Sequence, residues 1–259
     1  MRVLICKDEA SAIARAADHI AEHMAQRSDC VLGLATGGTM LPLYRRLIRL
    51  HADGLSFASV TTFNLDEYIG LAPDHPASYH SYMRKALFDH VDVDPSRTHL
   101  PRGDAADPVA EAADYEARIA RSGGISLQLL GVGRNGHIGF NEPTSSLASP
   151  TRIKTLTEST RRANQPYFGS DETPPGYAIP MGVGTILSAR ECLLLATGSA
   201  KANAVAAMVE GPVAAVCPAS ALQMHARTTV VLDRDAATEM KLTDYYHHVH
   251  PDGEATRFD

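Results

Sequence analysis

The sequence predicts an α/β fold, an open and mostly parallel sheet with helices on both faces. Short apolar segments alternate with longer amphipathic or alanine-rich segments, the pattern of strands joined by helices. The apolar segments are also nearly continuous, as expected for parallel strands buried on both faces. We expect residues 1–259 to form a single Rossmann-like domain, modified by extra C-terminal elements.

Each predicted element follows from local composition. The predicted strands cover 2–6, 30–35, 59–64, 125–131, 191–198 and 228–233, and residues 152–157 are predicted to be extended. The predicted helices cover 9–26, 40–50, 78–88, 108–120 and 199–209. We interpret residues 165–180, which are rich in proline, glycine and acidic side chains, as a loop or lid. We expect the polar tail from His247 to be solvated, and we assign no metal to its histidines.

Composition and charge argue against several classes of function. The net charge of −6 disfavours non-specific binding to nucleic acid or to an anionic membrane surface. No apolar run reaches the roughly 20 residues of a membrane helix, and the first ten residues do not resemble a signal peptide. The four cysteines form no C-x-x-C pair, and Cys6, Cys30 and Cys192 are expected to be core thiols. These features favour a cytoplasmic protein.

Polar or glycine-rich segments follow four predicted strands. They are ATGGT at 35–39, NLDEY at 64–68, GVGRNGHIGFNEP at 131–143 and TGSAK at 197–201. Ligands of open parallel sheets bind outside the carboxyl ends of the strands. We therefore expect these four segments to converge on one site.

Two of the four segments suit an anion. Gly37, Gly38 and Thr39 precede a predicted helix, where backbone N–H groups and the helix dipole favour negative charge. The spacing is not that of a Walker A loop, and a simple tight turn is the alternative. Lys201 falls in the first turn of another predicted helix, which is unfavourable unless an anion lies nearby. The alternative for Lys201 is an exposed lysine.

The other two segments suit acid–base chemistry. Asp66 and Glu67 are adjacent on an extended segment and point in opposite directions, so one of them is expected to enter the site as a general base. The glycines of 131–136 satisfy G-x-G-x-x-G, but no helix start follows them, which disfavours a dinucleotide loop. His137 and Glu142 are instead a candidate acid–base pair, with a purely structural pair as the alternative.

The chain resembles glucosamine-6-phosphate deaminases. The resemblance rests on LGLATGGT, TTFNLDEYIGL, HPASYHSYM, GVGRNGHIGFNEPTSSLASPTRIKTLT and MGVGTIL, and it runs from Val3 to about Tyr246. It implies a modified open α/β sheet and conversion of glucosamine 6-phosphate and water to fructose 6-phosphate and ammonia. It also implies that the protein needs no metal and no organic cofactor.

The resemblance implies roles for individual residues. His137 would open the sugar ring, Glu142 would hold and tune His137, and Asp66 would take the proton from C2. Asn135 stands where enteric-type members have aspartate, so it can orient His137 without adding charge. The residues implied for the substrate phosphate are Gly37, Gly38, Thr39 and Lys201. The phosphate-binding arginine of the family falls at Pro166. Arg161 and Arg162 are the nearby candidates to compensate, but a helix is expected to place them elsewhere on its surface, so the replacement stays open.

A second site is implied by the regulated enteric-type members. These bind N-acetylglucosamine 6-phosphate between the subunits of a hexamer, and we expect a homo-oligomer, with a hexamer favoured. The matching residues are Ser145, Arg152, Lys154, Thr155 and Tyr245. An exposed basic strand edge is the alternative. Other readings are a deaminase of galactosamine 6-phosphate, a lactonase of 6-phosphogluconate and a non-catalytic sugar-phosphate sensor.

Overall fold

Seven parallel strands form the central sheet of the computed structural model, which describes residues 1–27 and 29–254. The strands of the described residues are β1 (Arg2–Cys6), β2 (Val31–Leu34), β3 (Thr61–Asn64), β4 (Asp66–Tyr68), β5 (Thr98–His99), β6 (Leu127–Leu130), β7 (Lys154–Thr155), β8 (Tyr177–Pro180), β9 (Cys192–Ala196) and β10 (Thr228–Asp233). The order in the central sheet is β1-β10-β9-β6-β2-β3-β5. The predicted α/β fold is confirmed.

The strand order reverses next to β2. The chain proceeds from β2 through β3 to β5 towards one edge, and from β6 through β9 and β10 towards the other. The carboxyl ends of β2 and β6 are therefore the topological switch point, where the connecting loops diverge and leave a crevice. Every residue of β9 and β10 is buried, which explains the nearly continuous apolar segments in the sequence.

Helices cover the sheet. Those of the described residues are α1 (Glu9–Ala25), α2 (Met40–Ala52), α3 (Tyr79–Ala86), α4 (Pro108–Arg121), α5 (Glu158–Asn164), α6 (Val183–Leu187), α7 (Ala202–Val209) and α8 (Thr243–Val249). The five predicted helices agree with the structure to within three residues at each end. The largest difference is at Lys201, which closes a 3₁₀ turn (Ser199–Lys201) before α7 begins. The helices α5, α6 and α8 have five to seven residues, too few for a clear periodicity.

A second sheet is built from the middle of the chain. It is antiparallel, with the order β4-β8-β7, and a small apolar cluster that includes Tyr68, Phe140 and Leu156 lies beside it. NLDEY thus contains a strand, and residues 165–180, predicted as loop or lid, end in β8. Strands of two to four residues carry no readable period. Their pairing depends on contacts between distant segments.

The C-terminal tail from His247 is solvated only in part, and the prediction is wrong for the residues that pack against the sheet. His247 and His248 lie in α8, which packs against β1. His250 is buried, and Gly253 lies so close to Cys6 that a Cβ on it would be 2.9 Å from the Cys6 sulfur. His250 and Gly253 are thus buried, whereas His248, Pro251, Asp252 and Glu254 are exposed, as their polar composition predicts. Residues 255–259 lie outside the described part.

Several smaller predictions can be compared with the described residues. Cys6, Cys30 and Cys192 are free and buried, which confirms them as core thiols. Residues 1–27 and 29–254 contain no cluster of three or more His, Cys, Asp or Glu side chains suited to a metal ion. Within the same ranges, no helix has both the length and the apolar character needed to cross a membrane.

Candidate active site

A cavity of about 950 Å³ opens at the switch point. Its lining includes residues 35–41 after β2, residues 131–135 after β6, and the side chains of Asp66, His137 and Lys201. All four segments that follow predicted strands thus contribute to one cavity, and the predicted convergence is confirmed. The parallel sheet produces it, because strands that run the same way bring their carboxyl ends to one edge.

Asp66 is the buried carboxylate of the cavity. Its side chain is 4% exposed, and its Oδ2 accepts a hydrogen bond of 2.8 Å from the Phe140 N–H. Burial raises the pKa of Asp66 from 3.8 to about 7, and the Phe140 N–H offsets part of this shift. A carboxyl group with this pKa can both accept and return a proton near neutral pH.

Glu67 faces the opposite way, as the extended geometry predicted. Its carboxylate accepts hydrogen bonds from the N–H groups of Tyr68, Tyr79 and His80. The last two of these donors belong to the first turn of α3, so Glu67 anchors the start of that helix. Only Asp66 of this pair lines the cavity.

His137 is held against a glycine. A Cβ placed on Gly133 would lie 2.3 Å from Cε1 of the imidazole, so no other residue fits there without moving the ring. The side chain of His137 is 23% exposed, and Nδ1 lies 3.6 Å from Oε2 of Glu142. This distance allows ion pairing but exceeds a hydrogen bond. The structure therefore brings the predicted pair together and leaves the ring open to the cavity.

Glu142 lies behind His137 and is 2% exposed. Its Oε2 accepts a hydrogen bond of 2.9 Å from Asn135 Nδ2, and its Oε1 accepts from the hydroxyls of Thr157 and Thr160. Burial favours the neutral acid, but the nearby imidazole of His137 and hydrogen bonds from Thr160 and Asn135 lower the pKa of Glu142 to about 2. The carboxylate is therefore ionised at neutral pH.

Asn135 orients the pair indirectly. Its Oδ1 accepts a hydrogen bond of 3.3 Å from the backbone N–H of His137, while its Nδ2 binds Glu142. Sequence reasoning did not identify Thr157 and Thr160. Thr157 is the N-cap of α5 and accepts from the Thr160 N–H, and a threonine before Glu158 is a sequence signal for such a cap.

The other end of the cavity is suited to an anion. Gly37 has a φ of 105°, a conformation that favours glycine, and Thr39 immediately precedes α2. The first turn of α2 contains no acidic residue. Lys201 donates a hydrogen bond of 2.7 Å to the Val132 carbonyl, and burial together with the nearby Arg134 lowers its pKa. The predicted anion-binding residues thus all line the cavity.

Neither Arg161 nor Arg162 lines this cavity. Arg161 donates to the Pro174 carbonyl, and Arg162 pairs with Glu158. Helix α5 places both side chains elsewhere, as expected, so neither replaces the missing arginine. Two other cations, Lys85 and Arg134, line the cavity. Next to Pro166, the Tyr167 hydroxyl is 3.8 Å from the place of a Cβ on Gly38.

The residues predicted for a second site are only partly brought together. Arg152 donates a hydrogen bond of 2.7 Å to Asn141, four residues before Ser145, whose buried hydroxyl has no hydrogen-bond partner among the described residues. Lys154 and Thr155 form β7. Tyr245 lies on α8, beside the edge strand β1, and therefore belongs to another part of the chain.

Known proteins resemble this chain closely. It is 56% identical over 251 residues to a glucosamine-6-phosphate deaminase of Hahella chejuensis, covering 96% of this chain and 95% of the relative. It is 49% identical over 250 residues to a glucosamine-6-phosphate deaminase of Cellvibrio japonicus, with coverages of 96% and 95%.

Solved structures agree with these relatives. A monomeric glucosamine-6-phosphate deaminase superposes with a TM-score of 0.90 at 48% identity, covering 92% of this chain and 100% of the other. A 6-phosphogluconolactonase from Trypanosoma brucei reaches 0.72 at 18% identity, covering 93% and 98%, and shows the fold alone. Residues 7–231 match the sequence model of glucosamine-6-phosphate isomerases/6-phosphogluconolactonase. With its fold, its cavity and these relatives in agreement, the chain belongs to the glucosamine-6-phosphate isomerase/6-phosphogluconolactonase family.

Proposed function

We propose that this protein converts glucosamine 6-phosphate and water to fructose 6-phosphate and ammonia. The observation that carries the proposal is the cavity itself, which combines three groups: the carboxyl of Asp66, the imidazole of His137 and a cationic end at Lys201. An aldose–ketose shift on a phosphorylated amino sugar needs three groups. One is a base that removes the proton from C2, one opens the sugar ring, and one binds the phosphate. The relatives named above carry the same activity in their names.

Ring opening is the role proposed for His137. The imidazole takes the proton of the anomeric hydroxyl and returns a proton to the ring oxygen as the bond between C1 and that oxygen breaks. Glu142 supports the cationic form of the ring from 3.6 Å. Asn135 holds both residues through its hydrogen bonds.

Proton transfer between C2 and C1 is the role proposed for Asp66. The carboxylate removes the C2 proton from the open-chain aldehyde, and the electron pair moves through C1 to the carbonyl oxygen. The ammonium group gives up one proton and the C1 oxygen takes one up, so that the nitrogen lone pair can form the C2–nitrogen double bond as the proton from C2 returns to C1; C1 becomes a hydroxymethyl group and C2 an imine. Water adds to C2 and ammonia leaves, which gives the ketose. Burial of Asp66 suits this chemistry because its pKa of about 7 leaves both protonation states accessible.

The phosphate is proposed to bind at the start of α2. Residues 37–39 lead into α2, where backbone N–H groups and the helix dipole favour an anion, and Lys201, from the same cavity lining, supplies a positive charge. Lys85 and Arg134, from the same lining, supply further charge, and Pro166 supplies none. Anchoring this end of the sugar fixes C1 and C2 near Asp66.

Ammonia release from glucosamine 6-phosphate tests the proposal. We expect release with glucosamine 6-phosphate and not with unphosphorylated glucosamine, with Asp66→Asn as the inactive control. Faster release from galactosamine 6-phosphate would support the alternative substrate. Absence of release from either amino-sugar phosphate would contradict the proposal.

We further propose, as a separate matter, a cytoplasmic homo-oligomer, with a hexamer favoured, that binds N-acetylglucosamine 6-phosphate at a second site. The unpartnered Ser145 hydroxyl and the neighbouring Arg152 support a polar ligand there. One solved relative is described as monomeric, which argues for a monomer instead. Sedimentation velocity, with and without N-acetylglucosamine 6-phosphate, tests this. A monomer that is not activated by this sugar would exclude the hexamer and the second site.

A further inference from the structure

Two separate segments hold the carboxylate of Glu142. Asn135, from the glycine-rich segment after β6, binds Oε2 at 2.9 Å. Thr157 and Thr160, from the start of α5, bind Oε1 through their hydroxyls. Since Glu142 is 2% exposed, protein donors stand in for water around this charge. The position of the carboxylate therefore depends on α5 as well as on its own loop.

The start of α5 also belongs to the wall of the cavity. Ser159, Thr160, Ala163 and Asn164 line it, and Tyr167 follows with its hydroxyl near Gly38. One short segment thus touches the anion-binding end of the cavity and the residue behind His137. Thr160 itself is 6% exposed, so its hydroxyl has no ready access to bulk water.

We propose that Thr160 is a positioning residue, whose hydroxyl fixes Glu142 beside His137 for ring opening. The proposal rests on the proposed function for the step that it serves. Thr160 donates to Oε1, which leaves Oε2 turned towards Asn135 and the imidazole. Without this donor, one lone pair of a buried carboxylate is left unpaired, and the carboxylate is expected to rotate or to bind a proton.

The test replaces the hydroxyl with a methyl group of similar shape. Thr160→Val removes the donor, and Thr160→Ser keeps it. Thr185→Val is a matched control, because Thr185 donates a hydrogen bond of 2.6 Å to the carboxylate of Glu116, away from the cavity lining. A general cost of losing a threonine–carboxylate bond would affect Thr160→Val and Thr185→Val alike.

The first readout requires no substrate. The carboxyl signal of Glu142 is followed by carbon-13 NMR from pH 8 to pH 4. In the wild type, Thr160→Ser and Thr185→Val, we expect a flat signal, since the pKa of Glu142 is about 2. In Thr160→Val we expect about a tenth or more of the full protonation shift at pH 4, against about a hundredth in the wild type, because loss of a hydrogen bond to a carboxylate raises its pKa by about one unit or more. A flat signal in Thr160→Val would overturn the proposal.

The second readout separates ring opening from binding. We expect Thr160→Val to lower kcat for glucosamine 6-phosphate by about tenfold or more. Its affinity for the open-chain 2-amino-alditol 6-phosphate, which needs no ring opening, should stay within about twofold, and Thr160→Ser should retain kcat. Equal losses in kcat and in this affinity, or a Thr160→Ser variant as slow as Thr160→Val, would refute the role. An inactive wild type would refute the proposed function. The carboxyl signal would still show whether the Thr160 hydroxyl stabilises the carboxylate of Glu142.

Discussion

Asp66 and Glu67 are adjacent carboxylates with opposite surroundings. Asp66 receives one N–H and lies in the cavity, whereas Glu67 receives three and anchors α3. The difference arises because neighbouring side chains of a strand point to opposite faces. At this scale, one backbone position decides whether a carboxyl group is available to a substrate or is part of the scaffold.

Asp66→Asn should abolish exchange of the C2 proton with solvent and leave sugar-phosphate binding largely intact. In the wild type, kcat/KM should rise with pH through about 7, as Asp66 loses its proton. Proton NMR in deuterated water measures the exchange. Retained exchange in the variant would remove Asp66 from the role of base.

Asp66 should also lower the stability of the wild type at alkaline pH. The folded-state pKa of about 7 lies above the ordinary 3.8, so the protonated group stabilises the fold and this stabilisation is lost as the pH rises to 7. Asp66→Asn should therefore be more stable than the wild type at pH 8, by on the order of a few kcal/mol, and nearly equal to it at pH 4. Thermal unfolding at the two pH values measures the difference. If the variant and the wild type differed in stability by the same amount at pH 8 and pH 4, burial would not be what raises the pKa of Asp66.

Gly133→Ala should disable His137. The added Cβ would lie 2.3 Å from the imidazole, so the ring must leave its place. We expect kcat to fall by about 100-fold with little change in affinity for the open-chain analogue. Gly176→Ala is the control, since a Cβ there meets nothing within 4 Å. Unchanged kcat in Gly133→Ala would show that the ring needs no such space.

At the scale of elements, a cluster of charged side chains around Glu191 fixes α1 to the sheet. Glu191, just before β9, receives His19 Nε2 at 2.6 Å and Arg227 Nη2 at 3.2 Å, and His23 Nδ1 lies 3.7 Å away. Burial works against this charge, but the hydrogen bond from His19 and the nearby imidazole of His23 hold the pKa of Glu191 well below its usual range. The cluster lies at the amino end of β9, opposite the cavity. It therefore contributes to stability rather than to catalysis.

Glu191→Gln should lower the free energy of unfolding by roughly 3 kcal/mol at pH 7 and leave kcat unchanged. Because the folded-state pKa is depressed, the stabilisation is present above the ordinary pKa of 4.5 and is lost as the pH falls below it. Urea unfolding at pH 7 and pH 4 measures this. Glu158→Gln, which removes an exposed ion pair with Arg162, is the control and should cost less than about 1 kcal/mol.

The turn Gln165–Tyr167 contains Pro166, where the family has its phosphate-binding arginine. Pro166→Arg would add a cation beside Tyr167, whose hydroxyl lies near Gly38. We expect KM for glucosamine 6-phosphate to fall several-fold at similar kcat, since one added charge contact strengthens phosphate binding. Initial rates measure this. If KM does not change, the phosphate lies out of reach of this turn, and Lys85 and Arg134 remain the cations to test.

For the molecule as a whole, the strand order determines where the site lies. The reversal at β2 opens a crevice, and the loops after β2 and β6 enter it from the two sides. The second sheet then carries Asp66 on β4 and directs it into the same space. Three cations, Lys85, Arg134 and Lys201, and the carboxylate of Asp66 line the cavity, although the net charge of the chain is −6.

The sequence by itself determined the α/β class, the five longer helices and the segments that form the site. These features follow from local periodicity and from glycine-rich or charged residues at strand ends, which neighbouring residues specify. The two-residue period of a strand also showed that only one of Asp66 and Glu67 enters the site, and the family resemblance then singled out Asp66.

Only the tertiary structure decided the second sheet, the burial of His250 and the partners of Glu142. Strands of two to four residues are set by pairing with distant segments, and their own composition does not reveal them. Thr160 is 18 residues from Glu142 along the chain, and Arg161 turns away from the cavity because of the helix that carries it. Hydrogen bonds of this kind depend on how segments pack in three dimensions, which local periodicity does not encode.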